Sequence, residues 1–144
     1  MERGRRGRIY GMTPAQSIGY ALINSTAISA IVGTRINHGL RPVGTAVPCI
    51  NYYELGGSTR LRGFDSVVYS INCRASTAGE ARTMARLVLD YFAGTSGTGT
   101  YQTQGTFEIT KASLSNDGGI IPESTDGIYN APVDIRIVYP ISAT

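Results

Sequence analysis

The 144-residue sequence has no tryptophan, one histidine and two cysteines, and only 16% of its residues are charged. Each shortage excludes something. With His38 alone, histidine-rich metal constellations are ruled out, and a Ser-His-Asp arrangement would have to use that one residue. Cys49 and Cys73 form no C-x-x-C motif and are too few for a disulfide framework, so they fit a reducing compartment as thiols. No apolar run approaches the ~18 residues of a membrane span. The "IYGMTPAQ" behind the first arginines is not the apolar stretch of a signal peptide. The expectation is a chain made and kept in cytoplasm, with no membrane contact, no cofactor and no metal.

The formal net charge of +3 divides unevenly. Arg3, Arg5, Arg6 and Arg8 against Glu2 account for all of it, and the remaining nine basic and nine acidic side chains cancel. The basic character therefore belongs to a tail. Nucleic-acid binders usually carry a basic stripe on the domain itself, and none is visible. Residues 1–12 are read as a basic, flexible arm, with Arg3, Arg5, Arg6 and Arg8 as a candidate contact for DNA or another anionic partner. Residues 13–144 are read as one domain, long enough to bury a core without staples. Glycine, at 18 residues, is roughly double its usual share and points to long loops.

Thr13-Pro14 is a helix start, with Ile18, Ala21 and Leu22 at helical spacing. The polar run at 24–26 breaks it, and a short helix over "AISAIV" ends at Gly33. Thr34–Asn37 is a brief extended piece, followed by loop over 38–48. Strands follow at Cys49–Leu55 and Val67–Arg74, joined by the loop "GGSTRLRGFDS". Setting Leu55 opposite Val67 places Cys49 opposite Cys73. One face then gathers Cys49, Tyr53, Leu55, Val67, Tyr69, Ile71 and Cys73, with Asn51 as the one polar intruder. Thr77 and Glu80 match a capping box. The helix behind them gathers Ala81, Met84, Ala85, Val88, Tyr91 and Phe92 on one side and Arg82, Arg86 and Asp90 on the other. Further strands are expected over Tyr101–Leu114 and Gly127–Ile141, with "NDGG" as a turn. The order predicts an α+β fold, a mainly antiparallel sheet with two to three helices packed on one face.

Chemistry is scarce. "GTSGTGT" lacks the Gly-Lys-Ser/Thr ending of a phosphate loop and follows a helix instead of opening one. The nine tyrosines suit interfaces and half-buried positions alike, and the interleaved basic residues of a single-strand binder are missing. No enzyme signature emerges. The Gly-flanked stretch around Arg60, Leu61, Arg62 and Phe64 reads either as a solvated hairpin tip or as a partner- or lumen-facing loop. "GTRINHGLRPVGTAVPCINY", with His38 and Arg41, reads either as a reactive loop centred on His38 or as a shaped connection between a helix and a strand.

Taken in order, "AISAIVGTRI", "VPCINYYEL" and "YSINCRASTAGEARTMARLVLDYFAG" resemble the tail-terminator or tail-completion family of tailed bacteriophages. The likeness covers roughly residues 14–94, and "DGIYNAPVDIRIVYP" matches that family's usual last strand. The resemblance implies a virion protein without catalytic residues. It also implies a homo-oligomeric ring, typically a hexamer, at the head-proximal end of the tail tube. Its partners would be the tail tube protein and a head or neck connector or stopper protein, with genomic DNA passing through the bore unread. His38 and Arg41 would then lie in an intersubunit or axial loop. The alternatives are a head-completion, stopper or minor tail protein of the neck, and a DNA-binding module using the arginine arm.

Overall fold

The structure is a computed structural model. It describes residues 14–40, 44–61, 64–93, 102–104, 107–109, 111–117, 119–123 and 127–140. The basic arm, Arg41, Arg62 and the glycine-rich stretch at 94–100 lie outside the described residues.

Among the described residues, three helices, α1 (Pro14–Asn24), α2 (Thr26–Val32) and α3 (Ala78–Ala93), accompany eight strands. The strands are β1 (Ile36–His38), β2 (Cys49–Leu61), β3 (Phe64–Ala75), β4 (Gln102–Gln104), β5 (Phe107–Ile109), β6 (Lys111–Asp117), β7 (Ile121–Glu123) and β8 (Ile128–Pro140). The main sheet runs β1-β2-β3-β8-β6, with β7 also paired to β8; β4 and β5 form a separate two-stranded ribbon. Among the described residues, β1 and β2 pair in parallel and the other pairs are antiparallel. The expected α+β class holds, with strand β1 as a parallel addition at one edge.

Local chemistry explains the helix boundaries. The polar break is a cap: Ser25 has an extended backbone, and its hydroxyl accepts from the Ile28 amide. Gly33, at φ 60°, ends α2 in a conformation that a side chain would resist. At α3, the Thr77 hydroxyl accepts from the Glu80 amide at 3.1 Å, as the capping pattern requires. The apolar sides of all three helices meet one face of the sheet. Ile18 and Leu22, Ile28 and Val32, and Met84, Val88 and Phe92 pack on Ile50, Val67, Ile71, Ile135 and Ile137. Gly19 sits so close to β2 that a Cβ there would stand 2.5 Å from the Tyr52 hydroxyl. A side chain there would oblige the Tyr52 ring to shift.

The hairpin expectation needs two corrections. First, residues 56–61 and 64–66 are strand, not loop: β2 and β3 continue to the pair Leu61↔Phe64. Second, the register is shifted by one. Cys49 pairs with Arg74, Ile50 with Cys73, Tyr52 with Ile71 and Glu54 with Tyr69. The irregularities between Glu54 and Thr59, where Gly56 adopts φ 90°, take up extra residues that an unbroken ladder ignores. Since a one-residue slip exchanges faces, Ile50 and Tyr52 point to the helices, while Asn51 belongs to the reverse face. Leu55 is 52% exposed and no part of the core. On β3 and β8 the expected alternation stands, with Tyr69, Ile71, Cys73, Val133, Ile135 and Ile137 all buried.

Candidate functional site

His38 is the last residue of β1 and not the start of a loop. It is exposed, and its ring stacks on Tyr52 with centroids 5.2 Å apart. Burial pushes the Tyr52 phenol above its ordinary pKa, so the ring partner of His38 stays neutral. The chain then turns at Gly39, whose amide donates to the Tyr52 carbonyl at 2.7 Å. At the far end of the connection, Arg35 donates from Nε to the Pro48 carbonyl at 2.8 Å and secures the return into β2. The connection between β1 and β2 is therefore held at both ends. Between them Leu40 stands 86% exposed.

The remaining expected site residues separate. Arg60 and Leu61 end β2, and Phe64 opens β3, so they share the hairpin tip. That tip lies beyond the described pairing of β1, which runs along Ile50–Tyr52. Cys73 is fully buried, and its thiol is pushed up to about 12, first by burial and then by neighbouring Cys49, with Arg74 acting in the opposite direction. A thiol so placed is a poor nucleophile at neutral pH. Among the described residues no group of three or more His, Cys, Asp or Glu gathers in a metal-binding arrangement. No described helix is long and apolar enough to cross a membrane.

Two surfaces escaped the sequence reading. The first is the reverse face of the sheet, where Asn51, Ser70, Asn72 and Asn130 are buried. There the Asn130 amide donates to Asn72 Oδ1 at 2.9 Å, and Asn72 donates to Ser70 Oγ at 3.3 Å. Arg74 donates to Asn51 Oδ1, whose amide in turn donates to the Gly39 carbonyl at 2.9 Å. The signal was the polar residue at every second position of "NYY" and "YSINC", unreadable without the register. The second is a shallow depression between α3 and β8, with room for about 10 Å³, lined by Arg82, Ala85, Arg86, Leu89 and Val133. Its arginines looked like an ordinary solvated helix face; Leu89, three residues beyond Arg86, was the sign of a mixed surface.

No family model and no curated protein matches the chain. Among solved structures, a chain from the "Virion of native gene transfer agent (GTA) particle" superposes with a TM-score of 0.68. The likeness is one of fold. It extends over 88% of this chain and 94% of that one, at 13% sequence identity. A match of that extent takes in the sheet and its helix layer together, and not one recurrent hairpin.

Proposed function

We propose that this chain is a structural virion protein that caps the head-proximal end of a tail tube. In that role it ends tube polymerisation and joins the tail to the neck. One observation carries the reading: the fold, nearly whole on both sides, is shared with a chain of the gene transfer agent virion. The resemblance of residues 14–94 to tail terminators supports the finer role. Capping needs no reactive group. It requires a surface that matches the growing end of the tube and an opposite surface that does not recreate it.

In this reading the chain works as a ring, typically of six copies, bound to the tail tube protein on one side and to a connector or stopper on the other. The hairpin tip at Arg60, Leu61, Arg62 and Phe64 is the candidate tube-, neck- or lumen-facing element. His38 and Arg41 belong to the connection that meets a neighbouring copy. The arm with Arg3, Arg5, Arg6 and Arg8 is the candidate contact to an anionic partner. DNA passes the bore without being gripped, in keeping with the charge balance outside that arm.

The test is electron microscopy of lysates from the parent phage with this gene deleted. Abnormally long tails detached from filled heads are expected. Tails of normal length beside tailless heads would move the protein to the neck. Normal infectious particles would remove it from the virion.

A further inference from the structure

Asn51 differs from the other buried amides of the reverse face in where it bonds. Asn130 donates to Asn72 and Asn72 to Ser70, so those bonds stay within the sheet. Asn51 reaches beyond it, donating from Nδ2 at 2.9 Å to the carbonyl of Gly39, the residue after β1. Its Oδ1 accepts from Arg74, a side chain that can only donate, whereas the Gly39 carbonyl can only accept. The position therefore needs an acceptor and a donor on one short group, and an amide supplies both. Asn51 is 2% exposed, so water does not readily replace a lost partner.

Gly39 is held at both of its polar groups. Its amide donates to the Tyr52 carbonyl at 2.7 Å, so two successive residues of β2 grip the peptide planes before and after it. Its φ of 94° suits glycine and is resisted by side chains. With both planes fixed, the direction in which the chain leaves toward Leu40 is fixed as well. Leu40 is 86% exposed, against 49–52% for Ile23, Leu55 and Ile121. An apolar side chain set in place beforehand loses less freedom on docking than one on a loose loop.

We propose that Asn51 is the positioning residue of the contact between copies, aiming Leu40 at the neighbouring copy through its bond to Gly39. The inference rests on the ring reading above, in which the connection after β1 meets a neighbouring copy. Asn51 touches no partner itself. It acts through Gly39, and Arg74 keeps its amide turned the right way. A role confined to holding the sheet needs no bond beyond β1, as Asn72 and Asn130 demonstrate. β1 is an edge strand, so Leu40 stands at a margin of the fold. A polyanion would offer that side chain phosphates, whereas a folded neighbour can offer it an apolar surface.

The test combines hydrogen exchange in purified full-length variants with complementation of the deletion phage by the same variants. Asn51→Asp keeps an acceptor for Arg74 but turns a second acceptor on the Gly39 carbonyl. Exchange of the Gly39 amide is expected to accelerate by about tenfold. The Ile50 amide, bonded to the Arg35 carbonyl at 2.9 Å, keeps its rate, and the chain keeps its urea midpoint. Infectious titre falls toward that of the deletion, a loss that a merely structural role would not cause at unchanged stability. Should the carboxylate prevent folding, Asn51→Ser, uncharged and too short to reach both partners, gives the same readings. Leu40→Asp leaves exchange and midpoint as they are and lowers the titre equally. Unchanged exchange at Gly39, equal acceleration at Ile50, or full titre with any of these variants overturns the inference. A deletion that costs no titre removes the capping role and this inference together. Long tails in the deletion, with full titre restored by the variants, would sink the inference and leave capping in place.

Discussion

On the helix-covered face of the sheet, Val67, Ile71, Ile135 and Ile137 are at most 2% exposed. On the reverse face of the same strands, Ser70 is 4%, Asn72 3% and Asn130 8% exposed. Solvent is kept from both, by different means. The first face is closed by non-directional apolar packing, in which many side chains of similar volume would serve. The second buries amides beside Cys49 and Val68, and their hydrogen bonds must point at particular partners, because an unmatched buried amide is costly. The two together make the register hard to move. A slip by one residue would drive Asn51 and Asn72 among the isoleucines and turn Ile50 and Ile71 outward.

That contrast can be broken by substitution. The largest effect is expected on the apolar face, where Ile135→Ala should cost about 2–5 kcal/mol of stability in urea unfolding. A loss below about 1 kcal/mol would mean that the helix layer packs loosely. On the polar face, Asn72→Ala removes the acceptor of the Asn130 amide. Asn130 Oδ1 already lacks a partner among the described residues, so the side chain is left stranded at a cost of about 1–3 kcal/mol. A loss equal to that of Ile135→Ala would shift the main support of the sheet to its amides. No loss would mean that water reaches Asn130.

The smallest effect is one of pH, and it sharpens the comparison on the apolar face. Below about pH 9 the Cys73 thiol is neutral in folded and unfolded chains, and its stability contribution does not change. Between about 9 and about 12 only the unfolded chain ionises, so stability falls as pH rises. The slope is at most about 1.4 kcal/mol per pH unit. Denaturant midpoints from pH 8 to 10 should therefore decline more steeply for wild type than for Cys73→Ala. Parallel curves would show that the thiol titrates as freely in the fold as outside it.

Much of this was legible in the sequence, and the failures share a cause. The helices followed from Thr13-Pro14, Ser25, Gly33 and Thr77, because caps and apolar spacing act within a few residues. Strand β8 followed from the alternation of Val133, Ile135 and Ile137. The β2–β3 register did not, because Cys49, Tyr53 and Leu55 offered a nearly apolar row as plausible as Ile50 and Tyr52. Asn51 in that row was the warning: an amide without a partner among core residues. What decided between the rows was the bulged stretch around Gly56, and one chain's pattern of apolar residues does not reveal a bulge. The polar ladder was hidden for the same reason, since Asn130 lies 58 residues from Asn72. The α3–β8 depression needed the sheet order, which places Val133 beside a helix that precedes it by dozens of residues.

The sheet order has a consequence for synthesis. Strand β8 is the last described element of the chain, yet it lies between β3 and β6. While a ribosome is still making residues 64–127, the inner edge of β3 has nothing to pair with, and the helices rest on an incomplete floor. Contacts so distant along the chain also form slowly, on the order of milliseconds to seconds in sheet-rich domains. A nascent copy is thus an open hairpin with its polar row unmet, and the half-made polypeptide lacks Val133 and with it the floor of the α3–β8 depression. Nothing on the polysome has a finished surface to offer a neighbour. In the ring proposed above, assembly would begin with whole chains, because the strand that completes the described fold is translated after the elements it joins.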